Sequence, residues 1–191
     1  MKRVSIPVAL IMAALVTNCW FPGVESTEEA EKQSQNQLLL GLLAGTALES
    51  GKDFALNGVW DSYFGSGTST TTITTISAKS GTTGLWLDDD SSYSSCVRII
   101  QFNNAEGVAI TQNPSQNGAC FSSDPNKGKY NKVLFFPSTY NGKDVFWNCT
   151  IAFGKDTVQA ALDAEDTSNR TSPESSGCGS SPWSRLEARA E

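Results

Sequence analysis

Histidine is absent from all 191 residues, and with it goes the side chain that most often serves as general base near neutral pH. The Ser-His-Asp triad, the Cys-His pair and every histidine-containing zinc site are excluded together. No two cysteines stand in a C-x-x-C pair, so a structural metal has no familiar ligand spacing to occupy. Apolar runs are short: Val8–Val16 and Leu38–Gly45 both fall well below the roughly 20 residues that a spanning helix needs. Basic residues are few and unclustered, 14 against 20 acidic, which argues against a nucleic-acid partner, since phosphate binding needs grouped Lys and Arg. What remains of catalytic chemistry is thin. Glu106, Asp144 and Asp163 could pair as acid and base only if folding brought them together, and Lys127, Lys129, Lys132 and Lys143 all lie outside apolar stretches. The expectation is a protein that is not an enzyme and carries no cofactor.

What is present at the N-terminus is an export signal. Lys2 and Arg3 precede the apolar run to Val16, and Leu15-Val16-Thr17-Asn18-Cys19 closes it with a cysteine, after which the chain turns polar and acidic. Residues 1 to 19 resemble a bacterial lipoprotein precursor, in the relaxed form of the lipobox found among spirochaetes, Leptospira in particular. The strict pattern has Leu three residues before the cysteine and Gly or Ala just before it; here Val16 and Asn18 hold those places. The resemblance implies cleavage before Cys19, lipid on its thiol and new amino group, and a place at the outer membrane or cell surface. Removing 1–18 takes two basic and no acidic residues, so the mature net charge is −8. Membrane attachment then rests on acyl chains rather than on attraction to anionic lipid.

With Cys19 set aside, Cys96, Cys120, Cys149 and Cys178 form an even set in an export context that permits oxidation. Four cysteines allow three pairings. The nearest-neighbour closures, Cys96 with Cys120 and Cys149 with Cys178, are favoured and would each stabilise by about 3 kcal/mol in the chain-entropy view.

Residues 19–50 read as a lipidated tether, with Ser26 and Glu29 spaced as a capping box for a helix running to about Leu48. From about residue 51 a single domain begins, and its rhythm is all-β. Short segments rich in Thr, Val, Ile and aromatics alternate with Gly, Asn, Asp and Ser clusters. Strands are expected near 55–64, 70–77, 83–88, 94–103, 106–112, 130–136 and 144–153, with a last short one around Trp183–Leu186. Asn103–Gly107 and Asn141-Gly142 predict tight hairpins, so neighbouring strands should run antiparallel. Asp156 with Gln159 predicts one capped helix between the last two strands, and residues 166–177 an exposed loop.

Gly58-Val59-Trp60 near the first strand and a helix after Phe153 resemble, weakly, the eight-stranded barrels of the lipocalin group. An antiparallel sandwich accounts for the same strands, and spacing does not separate the two. Asp88-Asp89-Asp90-Ser91-Ser92 places oxygens at alternating positions that a calcium ion could use, but Ser92 and Tyr93 break the EF-hand pattern, and an acidic turn is the plainer reading. Asn148-Cys149-Thr150 and Asn169-Arg170-Thr171 match a glycosylation triplet that a bacterial lipoprotein would not have modified. Trp60, Tyr63, Phe64, Trp86, Phe102, Tyr130, Phe135, Phe136, Tyr140, Phe146 and Trp147 either fill a core or line a cavity. The functional expectation is a membrane-anchored interaction scaffold, presenting loops 112–128 and 166–177 to a host or envelope protein. Its rival is a carrier of small apolar ligands.

Overall fold

Alternation in the Thr-rich segments becomes strand structure almost where it is predicted. The computed structural model describes residues 52–90, 94–115 and 125–190. Within them run β1 (Gly58–Phe64), β2 (Thr72–Ser77), β3 (Gly84–Asp89), β4 (Ser94–Asn103), β5 (Val108–Gln112), β6 (Tyr130–Tyr140), β7 (Lys143–Lys155), a helix α1 (Val158–Leu162) and β8 (Ser184–Ala188). Each strand pairs antiparallel with the next, and β8 pairs with both β7 and β1, so the sheet closes into an eight-stranded barrel. The barrel alternative therefore holds and the sandwich does not. The expected signal peptide 1–18, Cys19, the expected tether helix and Cys120 lie outside the described residues.

Closure makes one face of every strand an interior, and side-chain size is graded to fit it. Gly58, Ile76, Trp86 and Val97 form one inward row across β1 to β4. The end nearest them is plugged by the chain entering β1. Phe54 and Leu56 are both buried there, with the Phe54 ring 4.7 Å from Phe102 and 5.1 Å, edge-on, from Phe135. Residues 55–57 thus form a turn rather than the expected start of a strand. The Asn57 side chain explains why: its Nδ2 donates to the Ala78 carbonyl and its Oδ1 accepts from the Ala78 amide, holding the turn against the end of β2. Eight large apolar side chains are buried in this cluster, each worth roughly 1.5–3 kcal/mol, which makes this end the anchor of the fold.

A second apolar layer lies outside the barrel. The long connection from α1 to β8 crosses the outer face of β6 and β7, and Trp183 is buried there among Leu134, Phe136, Trp147 and Cys149. Its indole Nε1 donates to the Asn169 carbonyl at 3.0 Å, and its ring meets Phe136 edge-on at 5.0 Å. The predicted Cys149–Cys178 disulfide is formed and ties this connection to β7. Its 29-residue separation corresponds to about 3–4 kcal/mol by loop entropy. Gly177 adopts φ +100° where the connection turns, and a Cβ would collide with the Asn169 carbonyl.

Three local expectations shift. Thr157, not Asp156, caps α1, its Oγ1 accepting from the Ala160 amide at 3.0 Å, while Asp156 instead pairs with Lys129 at 3.1 Å. Gln159 reaches Asp163 rather than back to the cap. The helix also precedes the last barrel strand instead of following it, which departs from the lipocalin arrangement. Finally, β6 continues four residues past its predicted end through Pro137. The Phe135 amide donates to Gly107 beyond β5, so Pro137, two residues on, turns its nitrogen to the same edge, where no strand needs a donor. The Asn141-Gly142 turn, φ 50° and 77°, then closes a hairpin that projects past its neighbours.

Candidate functional site: the barrel interior and its rim

Along the barrel axis the inward residues change character on almost every strand. From the plugged end, Ile76 gives way to Thr74 and Thr72, Trp86 to Asp88, Ile99 to Val97 and Ser95, Ala109 to Thr111, Phe135 to Val133 and Asn131, and Leu186 to Ser184. The apolar half is filled and the other half is polar. Asn131 and Asn113 show how the polar half is satisfied. Asn131 donates to Asn113 Oδ1 at 2.8 Å and accepts from the Gly154 amide, while Asn113 donates to the Asn126 carbonyl. These buried amides stitch the β5–β6 connection to the barrel wall, as buried polar groups must find partners.

Asp88 is a carboxylate turned into the polar half of this interior. Its Oδ1 accepts from Thr74 Oγ1 at 2.6 Å and from the Trp86 indole at 3.1 Å. Burial pushes its pKa above the ordinary carboxylate value, and those two hydrogen bonds oppose the shift without cancelling it. Asp89, next along the strand, faces outward and accepts from Ser94. Strand alternation therefore splits the acidic run between two faces. No group of three metal-ligating side chains comes together among the described residues.

On the outer face of β8, Arg185 sits in an aromatic cage. Only 3% of its side chain is exposed; its guanidinium lies 4.6 Å over the Tyr63 ring and 4.3 Å over that of Tyr140. Nε donates to Glu187 at 3.0 Å, and the two terminal nitrogens donate to the carbonyls of Gly65 and Gly67 in the β1–β2 turn. Lys143 completes the group at 2.7 Å from Glu187. Burial raises the Glu187 pKa, but the hydrogen bonds and charges of Lys143 and Arg185 outweigh it and hold the carboxyl below its ordinary range. Each of the three nitrogens of this guanidinium donates to an acceptor within the protein. It clamps turn, hairpin and closing strand together.

A concavity lies at the rim of the plugged end, between the projecting hairpin and the β8–β1 seam. It encloses about 530 Å³ and is lined by Trp60, Pro137, Ser138, Thr139, Asp144, Val145, Phe146 and Ala188. Trp60 meets Phe146 edge-on at 5.7 Å and spends its indole N–H on the Leu56 carbonyl.

No family model, curated protein or solved structure matches this chain.

Cys149 and Cys178 are joined, and Cys96 is also disulfide-bonded; its expected partner Cys120 lies outside the described residues, as does Cys19. The three carboxylates considered as an acid–base set are separated: Glu106 is in the β4–β5 turn, Asp144 pairs across from Thr139, and Asp163 ends α1. Lys132 holds that helix end through the Leu162 and Ala164 carbonyls, seven residues before Thr139 and so about 23 Å along β6. The aromatics divide among three places. Trp60, Trp86, Phe102, Phe135 and Phe146 belong to the interior, Phe136, Tyr140 and Trp147 to the outer layer, and Phe64 is exposed. The Arg185 cage was not foreseen, and its one visible signal is Arg185 and Glu187 two apart, hence on one strand face.

Proposed function

We propose that this protein is an exported lipoprotein, held to a membrane by acylated Cys19, that acts as an interaction scaffold through its outer surface. The observation that carries the second half is the state of the interior. Its apolar half is occupied by Phe54, Leu56, Trp86, Ile99, Phe135 and Leu186, all buried, and its other half is lined by hydroxyl, amide and carboxylate groups. An apolar ligand has no lining to enter. The first half draws on the Leu15–Cys19 stretch and on the Cys149–Cys178 bridge, which suits an oxidising compartment. Partners are then a lipid membrane and an envelope or host protein, met by connections such as 166–177. Protein purified from its own cells and extracted with organic solvent should yield no stoichiometric apolar molecule by mass spectrometry. Recovery of one per chain would replace this reading with that of a carrier. One observation favours a second reading, ligand binding outside the lumen: the 530 Å³ cleft at the rim.

A further inference from the structure

The rim cleft has a composition that selects for charge as well as for apolar shape. Its inward row can be read from the register. Thr139 pairs with Asp144 across the hairpin, Asp144 stands beside Ala188 one step beyond the Val145–Glu187 pair, and Ala188 pairs with Trp60. Phe146, two residues after Asp144, lies on the same face. A carboxylate and an indole therefore flank a single small residue, about 10 Å apart at two strand spacings.

The charged neighbours of this row are already matched: Lys143 and Arg185 with Glu187, Arg189 with Asp61. Asp144 has no ion pair and no side-chain hydrogen bond among the described residues. The lining holds one carboxylate and no cationic side chain to attract a ligand anion; the indole N–H is engaged, and the side-chain donors left are the neutral hydroxyls of Ser138 and Thr139. A volume of 530 Å³ falls in the range of small-molecule sites, and aromatic rings attract cations.

We propose that the cleft binds a small organic cation, its ammonium at Asp144 and its apolar or aromatic body laid across Ala188 against Trp60 and Phe146. The proposal deepens the second reading above and is independent of acylation at Cys19. Nor does it fail if organic extraction finds nothing, because an exposed site of this kind releases its ligand on purification.

Its test is calorimetry on the full mature protein in detergent, at pH 7 and low salt, with phenethylammonium, 2-phenylethanol and phenylacetate as probes. Phenethylammonium should bind about fivefold tighter than the neutral alcohol, the advantage of one partly solvated ion pair, and phenylacetate weakest. Asp144→Asn should bring the first two within twofold. Ala188→Leu should fill the cleft and weaken all three at least tenfold while leaving the thermal midpoint unchanged, since Ala188 is exposed. Equal affinity for the three probes, no binding of any, a cation preference that survives Asp144→Asn, or indifference to Ala188→Leu would each overturn the proposal.

Discussion

Replacing Arg185 with Met keeps the length of the side chain and removes everything that makes it a clamp. Three hydrogen bonds go, to Glu187, Gly65 and Gly67, together with the stacking on Tyr63 and Tyr140. Breaking a buried pair by deleting one partner costs about 3–5 kcal/mol because the other is left uncompensated. Here Glu187 keeps Lys143, and the freed turn carbonyls gain access to water once the β1–β2 turn loosens, so the lower end applies. The lost cation–π contacts add about 1 kcal/mol and the thioether packing of Met returns part of it. The net expectation is about 3 kcal/mol. In urea unfolding followed by tryptophan fluorescence, with a slope near 2 kcal/mol/M, the midpoint should fall by roughly 1.5 M at unchanged slope. Adding Glu187→Gln to Arg185→Met should cost less than the sum of the single changes, since the orphaned carboxylate is then gone. A midpoint shift below about 0.3 M at constant slope, or strict additivity of the pair, would show that the cage is incidental.

Cys149→Ser with Cys178→Ser should destabilise by about 3–4 kcal/mol in the same assay, the loop entropy of that bridge. Gly177→Ala should lose about 2 kcal/mol or more, because the added Cβ meets the Asn169 carbonyl at a backbone conformation alanine avoids; a neutral result would contradict that turn. Asp88 predicts a pH dependence of definite sign. Its folded pKa is raised, so the native state holds its proton more tightly, and wild-type stability relative to Asp88→Asn should fall as pH climbs from the unfolded value of 3.8 through the folded one. A flat difference curve would remove Asp88 from the interior. Glu187 has the opposite sign: its contribution is present above 4.5 and is lost as acid titration passes through its lowered folded pKa, so Glu187→Gln should flatten the acid limb.

Strand positions were legible because nearest-neighbour chemistry writes them. Thr72–Ser77 alternates, Asn141-Gly142 supplies positive φ, and both came out as expected. Other features depend on groups far apart in sequence. Sandwich and barrel share the same alternation, and what separates them is the pairing of β8 with β1 at a distance of 120 residues or more, which no local pattern encodes. The plug at Phe54 and Leu56 reads as strand until Asn57 is seen to spend its side chain on Ala78. Pro137 reads as a strand end, although at an unpaired edge it costs the sheet nothing. The rim cleft exists only because β6 and β7 run on past Pro137, so that error hid the site as well as the strand. Each residue of its row was visible; their being one row was not.

The claim at the centre is that an acyl-anchored barrel with a filled apolar end acts from its outer surface, and native intact mass of the protein released from its own membranes tests its anchor, its bridges and the state of its interior. The predicted species begins at Cys19, carries two or more acyl chains, is lighter by four hydrogens than its reduced form, and has no stoichiometric apolar adduct. A chain that begins elsewhere without lipid, or one that holds an apolar molecule in unit ratio, would contradict it.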